Sequence, residues 1–176
     1  MSDSEAWKKA KNVRVLILDV DGVLTDGRII IDDHGVESKF FDVKDGHGLK
    51  LLMRADVQVV ILSGRKSEAT RYRAQELGIS KVYQNVHNKM EAYRQILEEM
   101  DFEEHQTGYV GDDLVDLPIL KRAGFSAVVA DSVEEVKAFA DYISEKEGGR
   151  GAVREISEMI LKSQGKWGEV TGRYHQ

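Results

Sequence analysis

The chain contains no cysteine, so disulfides, thiolate metal sites and cysteine nucleophiles are excluded together. That absence is compatible with a reducing cytoplasm, the expected location. Long apolar runs are missing as well: none approaches the ~18 residues of a membrane span. The opening "MSDSEAWKKAKN" carries no apolar centre of the kind found in a signal peptide. Basic charge is in short supply, with 25 Lys and Arg against 31 Asp and Glu and a net charge of −6. Such a balance argues against a bulk nucleic-acid binder and leaves basic groups to act locally. Neither nucleic acid nor a membrane is an expected partner. Internal repeats and low-complexity segments are absent too.

What is present suffices for one core. The 176 residues are 41% apolar, which suits a single domain and leaves little room for two. Short apolar, β-branched runs at 13–19, 57–62, 81–84, 108–110, 127–130 and 141–143 read as strands. Helical patterns lie between and after them at 48–55, 67–77, 89–100, 115–123, 133–140 and 153–163. The alternation predicts an α/β domain, a doubly wound parallel sheet with helices on both faces. In "KMEAYRQILEEM", Met90, Tyr93, Ile96, Leu97 and Met100 recur at helical spacing and read as a core stripe. One segment, "RIIIDDHGVESKFFDV", breaks the pattern and reads as a protruding β-hairpin at about 28–41. A two-stranded ribbon is marginal alone and is expected to lie against something, such as another subunit. The layout is thus an N-terminal extension at 1–12, the domain at 13–164 and a flexible glycine-rich tail at 165–176. Trp167 and Tyr174 would let that tail dock.

Reactive residues gather at the predicted strand ends, where open α/β sheets build their sites. Asp19 and Asp21 follow the first strand, Ser63, Gly64 and Arg65 the second, and Gly111, Asp112 and Asp113 the fourth, with Asp116 beyond. Lys89 opens the helix after the third. Taken singly, each has a plain explanation as a cap, a turn or a solvated charge. Their order along the chain gives the set its meaning, and the set suits phosphoryl transfer. Oxygen ligands at a strand end fit Mg²⁺, which takes one or two carboxylates and keeps several waters. Asp19 and Asp112 could hold it by side chains and Asp21 by its main-chain carbonyl. One Asp19 oxygen would remain to attack phosphorus and form an aspartyl-phosphate. Asp21 could protonate the leaving alkoxide and then deprotonate the hydrolytic water. Ser63 and Lys89 would hold the phosphoryl oxygens and neutralise developing charge. Lys50, Arg65, Lys66 and Arg73 sit in or beside the rim segments. Arginine suits a carboxylate partner, whereas Lys66 reads as an exposed helix charge.

"DVDGVLTDG", "LSGRKS", "NKMEAY" and "GDDLVDLP" resemble the four ordered motifs of the haloacid dehalogenase superfamily of phosphohydrolases. More closely, "FDVKDGHGLKLL", "YQNVHNKM" and the late "GGRGAVREI" with "QGK" are similar to the branch acting on 3-deoxy-D-manno-octulosonate 8-phosphate in lipopolysaccharide precursor biosynthesis. The resemblance implies Asp19 as nucleophile, Asp21 as acid/base, and Asp19, Asp21 and Asp112 as Mg²⁺ ligands. It implies Ser63 and Lys89 as phosphate holders and Asp113 and Asp116 as outer acids. It also implies substrate contacts by Asp21, Asp42, Val43, Lys44, Asp45, Gly46, Lys50, Arg65, Arg73 and Lys89. Ser63 stands where many relatives carry Thr, and His47 where relatives often carry a phenol.

Neither the interval between residues 19 and 63 nor that between 63 and 89 leaves room for a cap domain, so the site is expected to be open in a monomer. Capless relatives form homotetramers in which a neighbour's hairpin and C-terminal tail lie near the active site. Arg150 in "GGRGAVRE" has two readings, part of a hinge and helix start or a tail arginine reaching a pocket. A nonulosonate 9-phosphate phosphatase is the alternative enzyme. A receiver-like signalling domain is a remote non-enzyme alternative, although it would carry its phosphate on the third strand, which here ends "YQNV" without an acid.

Overall fold

The apolar run "VLIL" forms β1 (Val15–Leu18), buried at every position as the centre of a parallel sheet requires. The computed structural model describes residues 5–174. β1 is flanked by β4 (Gln58–Leu62) and β6 (Thr107–Gly111). β5 (Lys81–Tyr83) lies outside β4, and β7 (Phe125–Val128) and β8 (Tyr142–Ile143) lie outside β6. All pairings are parallel and the order is β5-β4-β1-β6-β7-β8. The chain therefore winds outward from β1 on one side and returns beside it on the other. Such a reversal opens a crevice between β1 and β6 at their carboxyl ends.

Successive side chains of β1 face opposite layers. Leu16 and Leu18 join a core with α2 (Val43–Arg54), α3 (Glu68–Leu77) and α7 (Ala152–Ser163). Val15 and Ile17 join a second core with Tyr93 and Ile96 of α4 (Lys89–Met100), Ile119 of α5 (Leu117–Leu120) and Val136 of α6 (Glu134–Lys137). The sheet is doubly wound, as the alternation predicts. Only a ribbon and α2 separate β1 from β4, and only α3 and β5 separate β4 from α4, so no cap domain is inserted. The ribbon pairs β2 (Ile30–Ile31) with β3 (Glu37–Ser38) around a turn in which Asp32 Oδ1 accepts the N–H groups of His34 and Val36.

Several boundaries differ from the sequence expectation. Residues of the supposed extension form α1 (Glu5–Ala10), with Ala10 fully buried and Lys9 paired to Asp141 at 2.6 Å; residues 1–4 lie outside the described range. The supposed flexible tail forms α8 (Trp167–Thr171), whose Trp167 packs on the larger core and whose Val170 is buried. Lys166 Nζ donates to the Ala55 carbonyl, and Tyr174 accepts from Arg54 at 2.8 Å. The tail is tied to its own chain, with residues 175–176 outside the described range. α2 starts at Val43 rather than 48, because Asp42 caps it by accepting from the N–H groups of Lys44 and Asp45. Its Gly48 lies where α2 meets α7: a Cβ there would come within 3.1 Å of Arg154 Cα. The helix expected at 115–123 is a 3-10 turn at 114–116 followed by α5, because Asp116 turns inward. The helix expected at 133–140 shortens to α6, residues 134–137.

Candidate active site

Asp19 follows β1 at the crevice, where its N–H still bonds the Val110 carbonyl of β6 at 3.0 Å. Its side chain is fixed at both oxygens. Oδ1 accepts the Val20 N–H at 2.7 Å, and Oδ2 pairs with Lys89 Nζ at 2.8 Å. Lys89 is the first residue of α4, which Asn88 caps by accepting from the Glu91 N–H. Its ammonium also meets Asp116 Oδ1 at 2.7 Å. Asp116 is fully buried, and Tyr109 OH donates to the same Oδ1 at 2.5 Å. Asp116 Oδ2 accepts the N–H groups of Asp112 and Asp113 at 3.0 and 3.3 Å. Both Asp116 oxygens are committed to holding Lys89 and the loop after β6.

Asp112 is held differently. Its Oδ1 is buried without a hydrogen-bond partner, although such an atom costs about 1–3 kcal/mol when left unsatisfied. Gly22 passes directly beside it with φ +88°, and a Cβ there would lie 2.0 Å from Asp112 Oδ2. Only glycine permits this approach at that φ. Asp19, Asp112 and Asp116 each offer an oxygen within 4.8 Å of the others. One lysine faces three acids. Burial, outweighing the attraction of Lys89, pushes Asp19 up to about 6. Burial, then the charges of Asp19 and Asp116, pushes Asp112 up to about 8. Burial opposes the Lys89 ammonium, yet Asp19 and Asp116 hold its pKa above the ordinary lysine value. An orphaned carboxylate oxygen among hard oxygen donors, short of positive charge, fits a divalent cation such as magnesium. Each Asp116 oxygen already takes two donors, whereas each Asp19 oxygen takes one and Asp112 Oδ1 takes none, so Asp19 and Asp112 are the side chains with lone pairs left to ligate it.

Asp19, Lys89 and Asp112 line a cleft of about 650 Å³ that also takes in Asp21, Ser63, Arg65, Asn88 and Asp113. Ser63 is buried at the end of β4, its Oγ accepting the Arg65 N–H at 3.3 Å. Asp21 Oδ1 is paired with Nζ of Lys39, the residue that follows β3.

Residues 79–156 match the haloacid dehalogenase-like hydrolase family. The 3-deoxy-D-manno-octulosonate 8-phosphate phosphatase KdsC of Escherichia coli K12 is 43% identical over 165 residues, which cover 94% of this chain and 88% of that one. The chain belongs to this phosphatase family. A Moraxella catarrhalis phosphatase of the family, solved in complex with magnesium, phosphate and KDO, superposes with a TM-score of 0.95 at 38% identity, covering 99% of both chains. The cobalt-bound Haemophilus influenzae enzyme gives 0.87 at 44% identity, covering 90% of this chain and 92% of that one.

Against this family frame, the fold brings together Asp19, Asp21, Ser63, Lys89, Asp112 and Asp113, with Arg65, at the cleft, and Asp116 directly beneath. The two outer acids divide cleanly. Asp116 binds Lys89, whereas exposed Asp113 caps the 3-10 turn by accepting the Leu114 N–H at 2.6 Å. The substrate set implied at 42–46 does not reach the cleft within one chain. Asp42 caps α2 through its Oδ1, Val43 and Lys44 lie exposed, and Gly46 packs against Arg73. Asp45 is 1% exposed and gives its oxygens to the N–H groups of Gly151 and Arg154 at 3.3 and 2.7 Å. Arg73 pairs with Glu76 and donates to the Asp42 carbonyl, and Lys50 lies outside the cleft. His47 faces Tyr174 and Arg154. Arg150 reaches Asp26 at 3.5 Å rather than the cleft, and the Gly149 N–H bonds the Val23 carbonyl, so "GGRG" braces the loop after β1 and starts α7. Sequence reading missed Lys39, Glu37 and Tyr109. For the first two a signal existed: the period of two in "VESKF" puts Glu37 and Lys39 on one face of the ribbon.

Proposed function

We propose that this chain hydrolyses 3-deoxy-D-manno-octulosonate 8-phosphate to the free sugar acid and inorganic phosphate, in the cytoplasm. The carrying observation is Asp19 locked by Lys89 at the β1/β6 crevice with Asp21 opening onto the same cleft. An Asp19 oxygen bonds phosphorus while the ester P–O bond breaks, and Asp21 gives its proton to the departing sugar oxygen. Asp21 then takes a proton from water as the water oxygen bonds phosphorus and the Asp19–phosphorus bond breaks. Lys89 and the Ser63 hydroxyl hold the phosphoryl oxygens and offset their charge. Asp19, Asp112 and the Asp21 carbonyl would hold magnesium, which would supply the positive charge that the three acids and a phosphate require. Arg65, alone of the implied arginines in lining the cleft, is assigned to the sugar carboxylate.

No helix among the described residues is long and apolar enough to cross a membrane. The assembly we assign is a homotetramer, with a neighbour's hairpin and C-terminal tail near each cleft. Exposed Ile29, Ile31, Val36, Phe40 and Val43 on and beside the ribbon support it. Turnover of a panel of sugar phosphates, with and without Mg²⁺, tests the reading. The eight-carbon acid should be preferred and the cation required. Equal or reversed preference for a nonulosonate 9-phosphate would overturn the substrate, and a folded but active Asp19→Asn variant the covalent role.

A further inference from the structure

The ribbon is turned inside out. Val36 and Phe40, on the face opposite Glu37 and Lys39, are exposed, Phe40 at 70%, while the Lys39 side chain is 1% exposed. Burying an ammonium is unfavourable unless it is paired, and Lys39 has two acids. Its Nζ bonds Asp21 Oδ1 and lies 3.4 Å from Glu37 Oε1, which also takes Arg65 Nη2 at 2.5 Å. A line of alternating charge thus runs from the loop after β1, through the ribbon, to the rim of the cleft.

We infer that Lys39 is a positioning residue for Asp21, fixing which carboxyl oxygen delivers the proton; this rests on the phosphatase reading above. The terminal torsion of an aspartate is broad and two-fold, so a free Asp21 would present either oxygen. An ammonium donates only. With Lys39 on Oδ1, that oxygen can accept but cannot carry a proton toward the ammonium. The proton is confined to Oδ2 of a residue that lines the cleft. In the first step it passes from Oδ2 to the sugar oxygen as the ester P–O bond breaks. In the second step Oδ2 recovers it from water. Glu37 holds Lys39 in place and ties that geometry to Arg65.

The leaving group separates this role from a structural one, because p-nitrophenolate departs without help from an acid whereas a sugar alkoxide needs one. General acid catalysis supplies about 10²–10⁴-fold, so Lys39→Met should lower the single-turnover rate of sugar release at saturating substrate by roughly ten- to a hundredfold. Single-turnover release of p-nitrophenol, which precedes the water step common to both esters, should fall by less than about threefold, with KM for both little changed and Lys39→Arg recovering most of the loss. In an Asp21→Asn background, Lys39→Met should add no further selectivity. Equal losses on both substrates, or none, would overturn the inference. Should Lys39→Met fail to fold, Lys39→Ala carries the same comparison and leaves the Glu37–Arg65 pair in place, with the same selective loss expected and the same equal loss overturning it. A wild-type protein inactive on both substrates would instead overturn the phosphatase reading.

Discussion

Asp112 and Asp116 are chemically identical and sit four residues apart, yet their surroundings give them opposite tasks. Asp116 spends both oxygens on Lys89, Tyr109 and two backbone N–H groups. Asp112 keeps a buried oxygen without a partner. The consequence is legible in pH. Burial lifts Asp19 to about 6 and, with neighbouring acids, Asp112 to about 8, against an ordinary aspartate value near 4. The folded chain therefore holds protons that the unfolded chain releases, so this stabilisation is complete below about pH 4 and is lost as pH rises through about 6 to 8. In chelator, the melting temperature of the wild-type protein should fall across that window. Asp112→Asn should flatten the upper part of the fall. Magnesium should raise the wild-type melting temperature at pH 8 and leave the variant little changed, since only the native site binds it. Parallel curves for the two proteins would place the ionisation elsewhere.

At the level of elements, α7 begins at Gly151 with no side-chain cap of its own. Asp45 of α2 supplies one from elsewhere in the chain, accepting from Gly151 and Arg154. A sequence scan sees "DVKDG" as acids beside a rim and cannot see that one of them points at a helix over a hundred residues away. The strand ends were readable because each couples a short apolar run to a polar residue at a position the fold class makes functional. The ribbon was only half readable. Its period of two pairs Glu37 with Lys39, but the ordinary expectation puts the apolar face inward, and here the charged face is buried against Asp21. Asp45→Ala leaves buried N–H groups unsatisfied and should cost about 1–3 kcal/mol in urea unfolding, with kcat/KM of the folded variant within about threefold of wild type. A hundredfold kinetic loss with an unchanged unfolding midpoint would return Asp45 to the substrate.

In the homotetramer proposed above, the ribbon would join catalysis to assembly. A two-stranded ribbon is marginal alone. Here its inner face is anchored by Lys39 and Glu37, so its outer face, with Ile30, Val36 and Phe40, is presented in a fixed orientation. A fixed apolar surface is suited to meeting a second copy, because little freedom remains to be lost on association. In a closed homo-oligomer one substitution alters every copy of the patch, and in an isologous contact it alters both sides at once. Phe40→Asp should therefore lower the mass measured by light scattering. It should also reduce turnover of the sugar phosphate at low protein concentration, where dissociated chains leave the ribbon supported on one side only. If the mass is unchanged, the copies meet elsewhere. If the mass falls while turnover holds, the Lys39–Asp21 anchor is sufficient to seat the ribbon, and assembly serves a purpose other than ordering it.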